Sequence, residues 1–152
     1  MSRRVSRTAV FLSAAIGSLA IAGAASADPG GIYLITNNAT VKLDRIAESF
    51  SSRYRKNIPL NIPARSSTTA RAEAVNGETV FSGTFMYREL TGQTRGCSFT
   101  TVVTYNRATG KYMFTFSSAV QGGPSSPATC SITASRDVNT GRFTAYPVIG
   151  GF

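Results

Sequence analysis

The only two cysteines of this 152-residue chain open two similar segments. CSFTTVVTYNRATGKYMFTF begins at Cys97 and CSITASRDVNTGRFTAYPV begins at Cys130, and both reach a Thr-Gly-basic-aromatic turn. A metal site would need histidine or further cysteine ligands, and the chain has no histidine. The remaining alternative is a reactive thiol. We predict a Cys97–Cys130 disulfide, which in the chain-entropy estimate stabilises the fold by about 3–4 kcal/mol.

The first segment has the alternation of a β-hairpin. Pairing Asn106 with Lys111 around the turn brings alternate apolar residues onto one face. Those residues are Cys97, Phe99, Val103, Tyr105, Tyr112, Phe114 and Phe116. Gly110 supplies the positive φ that such a turn needs. A shift of one residue would scatter this face, so the pattern predicts the register as well as the strands.

The second segment predicts a matching hairpin. Pairing Asp137 with Arg142 places small and apolar residues opposite each other, Ala134 with Ala145 and Ile132 with Pro147. A further strand is predicted at about 79–88, and GGPSSP at residues 122–127 forms the long loop between the hairpins. Together these segments predict an antiparallel meander of about five strands.

A helix is predicted at about 41–56. Apolar residues recur there at steps of three and four, Thr40 can cap the start, and Pro59 follows the end. A sheet with one apolar face needs a cover, which this helix would provide. The predicted fold class is therefore α+β, a β-meander of about five strands with one amphipathic helix packed on it. The alternative is a small all-β barrel or sandwich.

The segment between the helix and the meander is rich in Pro, Ser and Thr. It contains Asn-Ile-Pro twice, which favours an extended crossover, although the alternation of Ile58, Leu60 and Ile62 also fits an edge strand. Upstream, GIYLIT is a short apolar run typical of a strand. The predicted organisation is one mature domain at 28–152, with a strand, the helix and the crossover in 28–77 and the meander in 78–152.

The first 27 residues have the order of a secretory signal peptide. Three arginines precede a run of apolar and small residues, and Ala-Ser-Ala at 25–27 fits a cleavage site. The apolar run is shorter than the roughly 20 residues of a membrane-spanning helix. We therefore expect a cleaved, exported protein, periplasmic or extracellular, without a membrane-spanning segment in the mature chain.

Basic residues are in excess. Removing three of the 16 basic residues with the signal, while all seven acidic residues stay, leaves a net charge of +6. Seven basic and only two acidic residues lie between Lys42 and Arg71. Such an excess favours anionic partners, or serves only to keep the domain soluble.

Most catalytic constellations are excluded by composition. Without histidine there is no Ser-His-Asp triad and no Cys-His pair. Asp44 and Glu48 lie among basic residues and are interpreted as solvated charges, and no Gly-rich phosphate loop precedes a Lys-Ser or Lys-Thr pair. The chain is therefore expected to be no enzyme and to need no cofactor or metal.

On the predicted helix, a basic stripe lies opposite the apolar one. Its members are Lys42, Arg45, Arg53 and Lys56. The stripe is either a binding surface or a solvated helix face. We expect a non-enzymatic binding domain of the bacterial cell envelope that contacts an anionic polysaccharide, a lipid head group or an envelope protein. Nucleic acid is disfavoured because the stripe has no interleaved aromatic residues. The alternatives are a structural subunit that joins others by strand pairing and, with less support, a small periplasmic hydrolase.

Overall fold

The structure is a computed structural model that describes residues 28–50, 53–91, 95–122 and 126–152. The predicted signal peptide lies outside the described residues. The described residues form ten strands. They are β1 (Gly30–Asn37), β2 (Leu43–Phe50), β3 (Tyr54–Asn57), β4 (Asn61–Ile62), β5 (Ser66–Ala74), β6 (Val80–Arg88), β7 (Gly96–Asn106), β8 (Lys111–Gln121), β9 (Thr129–Asp137) and β10 (Arg142–Gly150).

The strands form two five-stranded sheets. Sheet A has the order β3-β5-β1-β10-β9, and sheet B has the order β4-β2-β6-β7-β8. All pairs are antiparallel except β1 and β10, which run parallel in the middle of sheet A. Among the described residues there is no helix long and apolar enough to cross a membrane.

The α+β prediction is wrong, because the described chain is all-β and contains no helix. The predicted helix at 41–56 is instead β2 and β3. Leu43 and Phe50 both pack in the core although they are seven residues apart, a spacing that matches two helical turns. In a regular strand an odd spacing puts side chains on opposite faces. A β-bulge between Arg45 and Ala47 adds one residue and returns Phe50 to the core side.

The segment predicted as a crossover also differs. It contains β4 and the nine-residue strand β5, which pairs with β1 on one side and β3 on the other. The small side chains Ala70, Ala72 and Ala74 face inward and are buried. Residues 58–60 pass from sheet A to sheet B, and the Arg45 amide donates to the Leu60 carbonyl at 2.8 Å.

Both predicted hairpins and their registers are confirmed. Asn106 pairs with Lys111 in β7–β8, and Asp137 pairs with Arg142 in β9–β10. Gly110 has the predicted positive φ, 67°. The predicted continuous meander is wrong, because β6, β7 and β8 follow one another in sheet B whereas β9 and β10 belong to sheet A.

The core lies between the two sheets and is rich in aromatic side chains. Tyr33 of β1 contacts Phe85 of β6 with ring centroids 5.0 Å apart, and Phe143 of β10 contacts Phe81 of β6 at 5.8 Å. These contacts join the inner faces of sheets A and B. Offset and edge-on aromatic pairs of this kind add to the free energy gained from burying their surface.

The predicted disulfide is confirmed and joins the two sheets. Cys97 of β7 and Cys130 of β9 are bonded, with Cα atoms 5.7 Å apart. The edge strands β8 and β9 lie side by side here, and the Ser118 hydroxyl donates to the Cys130 carbonyl at 3.2 Å. Strands β8 and β9 belong to different sheets and share no backbone hydrogen-bond ladder in the described part of the chain. The disulfide therefore links the two sheets along a side where backbone pairing does not.

Candidate anion-binding site

The four residues of the predicted basic stripe do not form a continuous surface. Lys42 precedes β2, Arg45 lies in β2, Arg53 precedes β3 and Lys56 lies in β3. Because this segment contains two strands that belong to different sheets, steps of three and four residues do not align the side chains. Arg45 and Lys56 come together at Glu48, whereas Lys42 and Arg53 each meet a different carboxylate.

Each stripe residue has a carboxylate partner at close range. The nitrogen–oxygen distances are 3.0 Å for Lys42–Asp44, 2.9 Å for Arg45–Glu48, 2.6 Å for Arg53–Glu78 and 2.6 Å for Lys56–Glu48. Arg45 also donates to the Ile58 carbonyl, and its side chain is mostly buried. Asp44 and Glu48, interpreted from the sequence as solvated charges, are largely covered and act as ion-pair partners.

A different basic group lies on the outer face of sheet A. Three arginines surround Glu73 of β5: Arg142 Nη1 is 2.9 Å from Oε2, Arg55 Nη1 is 3.6 Å from Oε1, and Arg71 Nε is 3.9 Å from Oε2. We call Arg55, Arg71, Arg142 and Glu73 the arginine cluster. Three cations and one anion give it a local net charge of +2.

Strand register brings these residues together from distant parts of the chain. Arg55 of β3 pairs with Glu73 of β5, Glu73 pairs with Gly30 of β1, and Gly30 pairs with Arg142 of β10. One row across sheet A therefore contains Arg55, Glu73, Gly30 and Arg142. Arg71 precedes Glu73 by two residues in β5, so both side chains point outward.

Gly30 allows the Arg142–Glu73 ion pair to form across an intervening strand. Arg142 and Glu73 lie on strands separated by β1, and two strand spacings amount to about 10 Å. The Arg142 side chain reaches Glu73 across this gap, where Gly30 has no side chain. A Cβ at Gly30 would lie only 2.4 Å from the Glu73 Cα, so a larger residue would displace β5 and the carboxylate.

The arginines fix the charge of Glu73. The hydrogen bond from Arg142 lowers the pKa of the Glu73 carboxyl most; burial opposes it, and the charges of Arg71, Arg142 and Arg55 each lower the pKa by a smaller amount. Glu73 therefore stays ionised and makes a poor proton donor. Its chemical role here is to hold three guanidinium groups close together.

Asp137 lies opposite Arg142 in the register and places a negative charge beside the arginine cluster, but its oxygens are bound within its own turn. Its carboxylate accepts hydrogen bonds from the Asn139 amide at 2.9 Å and the Thr140 hydroxyl at 2.8 Å. These bonds, the Asn139 amide first, lower the pKa of Asp137. The carboxylate is thus engaged in its own hairpin turn, beside a shallow depression of about 330 Å³ lined by residues 135–137 and 142–144.

The arginines keep much of their surface in solvent. The side chains of Arg55, Arg71 and Arg142 are 77%, 61% and 43% exposed. A guanidinium has five N–H donors, so binding one carboxylate leaves donors available for a second anion. The arrangement is suited to holding a phosphate, sulfate or carboxylate group from solution.

Sequence reasoning missed this group because its members are far apart in the chain. The available signal was the alternation within each strand, which places Arg71 with Glu73 and Arg142 with Thr144 on one face of a strand. The predicted hairpin already placed Arg142 opposite Asp137. The pairing of β10 with β1, and of β1 with β5, was needed to bring Arg142 to Glu73.

The described residues offer no evident metal site, since no three His, Cys, Asp or Glu side chains come together among them in a suitable arrangement. No protein-family model matches the chain, and no curated protein matches it either.

Proposed function

We propose that this protein is an exported, non-enzymatic binding domain that holds an anionic polymer on the outer face of sheet A. The observation that carries the proposal is the arginine cluster, where three exposed guanidinium groups lie within 3.9 Å of one carboxylate. The Cys97–Cys130 disulfide is consistent with an oxidising compartment outside the cytoplasm.

Geometry favours the arginine cluster over the stripe predicted from sequence. Each stripe cation has a carboxylate within 3.0 Å, and two of them share Glu48. In the arginine cluster one carboxylate faces three cations, so a positive excess remains at one place. A second anion would be attracted to that excess, and charge-assisted hydrogen bonds to guanidinium groups are among the stronger polar contacts of proteins.

The shape of the surface favours a polymer over a small anion. Sheet A presents a broad face rather than an enclosed pocket, and the arginines come from three strands of that face. A single anion held on such a surface would be exposed to solvent and weakly bound. A chain that carries many anionic groups gains from repeated contacts, because the second contact is made at high effective concentration.

The structure gives less support to assembly by strand pairing. Two of the four sheet edges, β3 and β4, are only four and two residues long. The longer edge strands, β8 and β9, lie beside each other. The disulfide links β9 to β7, which is the neighbour of β8 in sheet B. Short or mutually covered edges are features that limit pairing with other chains.

The test compares two variants that remove the same number of positive charges. The first replaces Arg55, Arg71 and Arg142 with Gln, and the control replaces Lys42, Arg53 and Lys56 with Gln. Binding to dextran sulfate is measured by calorimetry at low and moderate salt, after thermal melts show that both variants are folded. We expect the first variant to lose about tenfold in affinity, which corresponds to roughly 0.5 kcal/mol for each exposed contact.

The control variant should lose no more than about twofold in affinity, in keeping with the small energies of exposed ion pairs. An equal loss in both variants would show that only net charge matters. Wild-type affinity in the first variant would contradict the proposal outright.

A further inference from the structure

The outer face of sheet A carries a second feature that anion binding alone does not explain. Leu34 of β1 and Tyr146 of β10 are 39% and 41% exposed. The parallel register that pairs Tyr33 with Ala145 places Leu34 beside Tyr146. Single exposed apolar residues are ordinary, but here an aromatic and an aliphatic side chain form one patch on the face that holds the arginine cluster.

Strand β10 connects this patch to the arginine cluster. Its outward residues are Arg142, Thr144, Tyr146 and Val148, alternating with the buried Phe143, Ala145, Pro147 and Ile149. Tyr146 follows Arg142 by four positions of extended strand, a distance of about 13 Å. A ligand that lies along β10 would therefore meet a cation, a hydroxyl, an aromatic ring and an aliphatic group in succession.

Hydroxyl groups flank the apolar patch on both sides. Thr69 of β5 pairs with Leu34, and Thr133 of β9 pairs with Tyr146. Thr36 and Ser67 lie one row further along, with their hydroxyl oxygens 3.1 Å apart. An apolar centre with hydrogen-bonding groups around it matches the chemistry of a sugar ring, which has C–H groups on its faces and hydroxyls at its rim.

We propose that the anionic polymer is an acidic polysaccharide that lies along β10, with its charged groups on the arginine cluster and a sugar ring on Tyr146. This inference rests on the proposed function and names its ligand. The Tyr146 ring stacks on the C–H face of the sugar, and the neighbouring threonines hydrogen-bond to its hydroxyls. Both the charge and the ring are needed for full affinity.

The same face is less suited to nucleic acid. Proteins that bind single strands stack successive bases on several aromatic side chains. Tyr146 is the one aromatic residue among the outward-facing positions of the described strands of sheet A. Its neighbours are aliphatic or hydroxylated, which suits sugars and offers no further stacking surface for bases.

The experiment uses two polyanions, alginate with charged sugar rings and polyphosphate with charge but no ring. We compare wild type with Tyr146→Ala, Tyr146→Phe and a control, Met113→Ala, which truncates an exposed apolar residue on the outer face of sheet B. We expect Tyr146→Ala to bind alginate five- to tenfold more weakly and polyphosphate unchanged. Tyr146→Phe and Met113→Ala should bind alginate within twofold of wild type. Leu34→Ser, a second change at an exposed position, should also weaken the binding of alginate and leave the binding of polyphosphate unchanged.

The outcomes separate the two proposals. If wild type binds polyphosphate and ignores alginate, or if Tyr146→Ala weakens both polymers equally or neither, the polysaccharide inference is overturned and the arginine cluster remains an anion site. If wild type binds neither polymer, the proposed function itself fails. A loss of oligothymidylate or anionic-vesicle binding in Tyr146→Ala that exceeds the loss for alginate would also overturn the inference, in favour of nucleic acid or membrane.

Discussion

Two buried tyrosines show how differently one residue type is used in this core. Tyr87 and Tyr33 are both fully buried. The Tyr87 hydroxyl donates to the Pro59 carbonyl at 2.6 Å and so ties the segment between β3 and β4 to the core. The Tyr33 hydroxyl lies near Thr101 but makes no hydrogen bond of good geometry within the described part of the chain.

The two hydroxyls should therefore differ in their contribution to stability. Tyr87→Phe leaves the Pro59 carbonyl without its donor and should lower the free energy of unfolding by about 1–2 kcal/mol. Tyr33→Phe removes a buried hydroxyl that lacks a hydrogen-bond partner of good geometry. This change should alter the free energy of unfolding by less than about 0.5 kcal/mol, or raise it. Urea unfolding of both variants measures the difference. Equal losses would contradict the assignment of the Tyr87 hydrogen bond as the stabilising one.

The same two tyrosines determine how the stability of the fold changes at alkaline pH. Burial raises the pKa of Tyr87 to about 12, with Arg45 lowering it and Glu48 raising it by smaller amounts, and burial also raises the pKa of Tyr33. An unfolded tyrosine has a pKa of about 10. Their stabilising effect is complete below pH 10 and is lost as pH rises towards 12, because the unfolded state releases protons first. The urea concentration at the unfolding midpoint should fall between pH 10 and pH 12 in the wild type, and should fall less steeply in Tyr87→Phe.

At the scale of elements, local patterns predicted the hairpins and failed elsewhere. In β7–β8 and β9–β10, alternation and turn chemistry lie within 26 and 22 residues respectively and agree on a single register. Strand β2 was misread because its bulge gives the core residues Leu43 and Phe50 a helical spacing. Strand β5 was not predicted because its three buried residues are alanines, which have little strand preference of their own, so the strand depends on pairing with β1 and β3.

The disulfide should matter most along the side where β8 and β9 meet. Replacing Cys97 and Cys130 with Ala removes the covalent tie between the sheets, and we expect the free energy of unfolding to fall by about 3–4 kcal/mol. Amide hydrogen exchange should become faster in β8 and β9, while β1 and β10 in the centre of sheet A serve as the internal control. A loss below about 1 kcal/mol, or uniform acceleration of exchange, would show that the two edges hold together without the bond.

At the scale of the whole molecule, the candidate site depends on pairings that no local pattern specifies. The parallel pairing of β1 with β10 joins the two ends of the described chain, and it is this pairing that brings Arg142 to Glu73. The basic character of residues 42–71 was visible in the sequence, but which cations would be neutralised was not. Two of that region's arginines, Arg55 and Arg71, lie in the arginine cluster, whereas the four stripe residues pair with three other carboxylates, Asp44, Glu48 and Glu78.

The central claim is that anionic polymers bind the outer face of sheet A, and mapping amide chemical shifts during an alginate titration tests it most directly. The account predicts that the largest changes occur at Arg55, Arg71, Glu73, Arg142 and Tyr146, decrease with added salt, and leave the outer face of sheet B unaffected. Changes centred on Lys42, Arg45 and Lys56, or on the outward residues of β7 and β8, would contradict it.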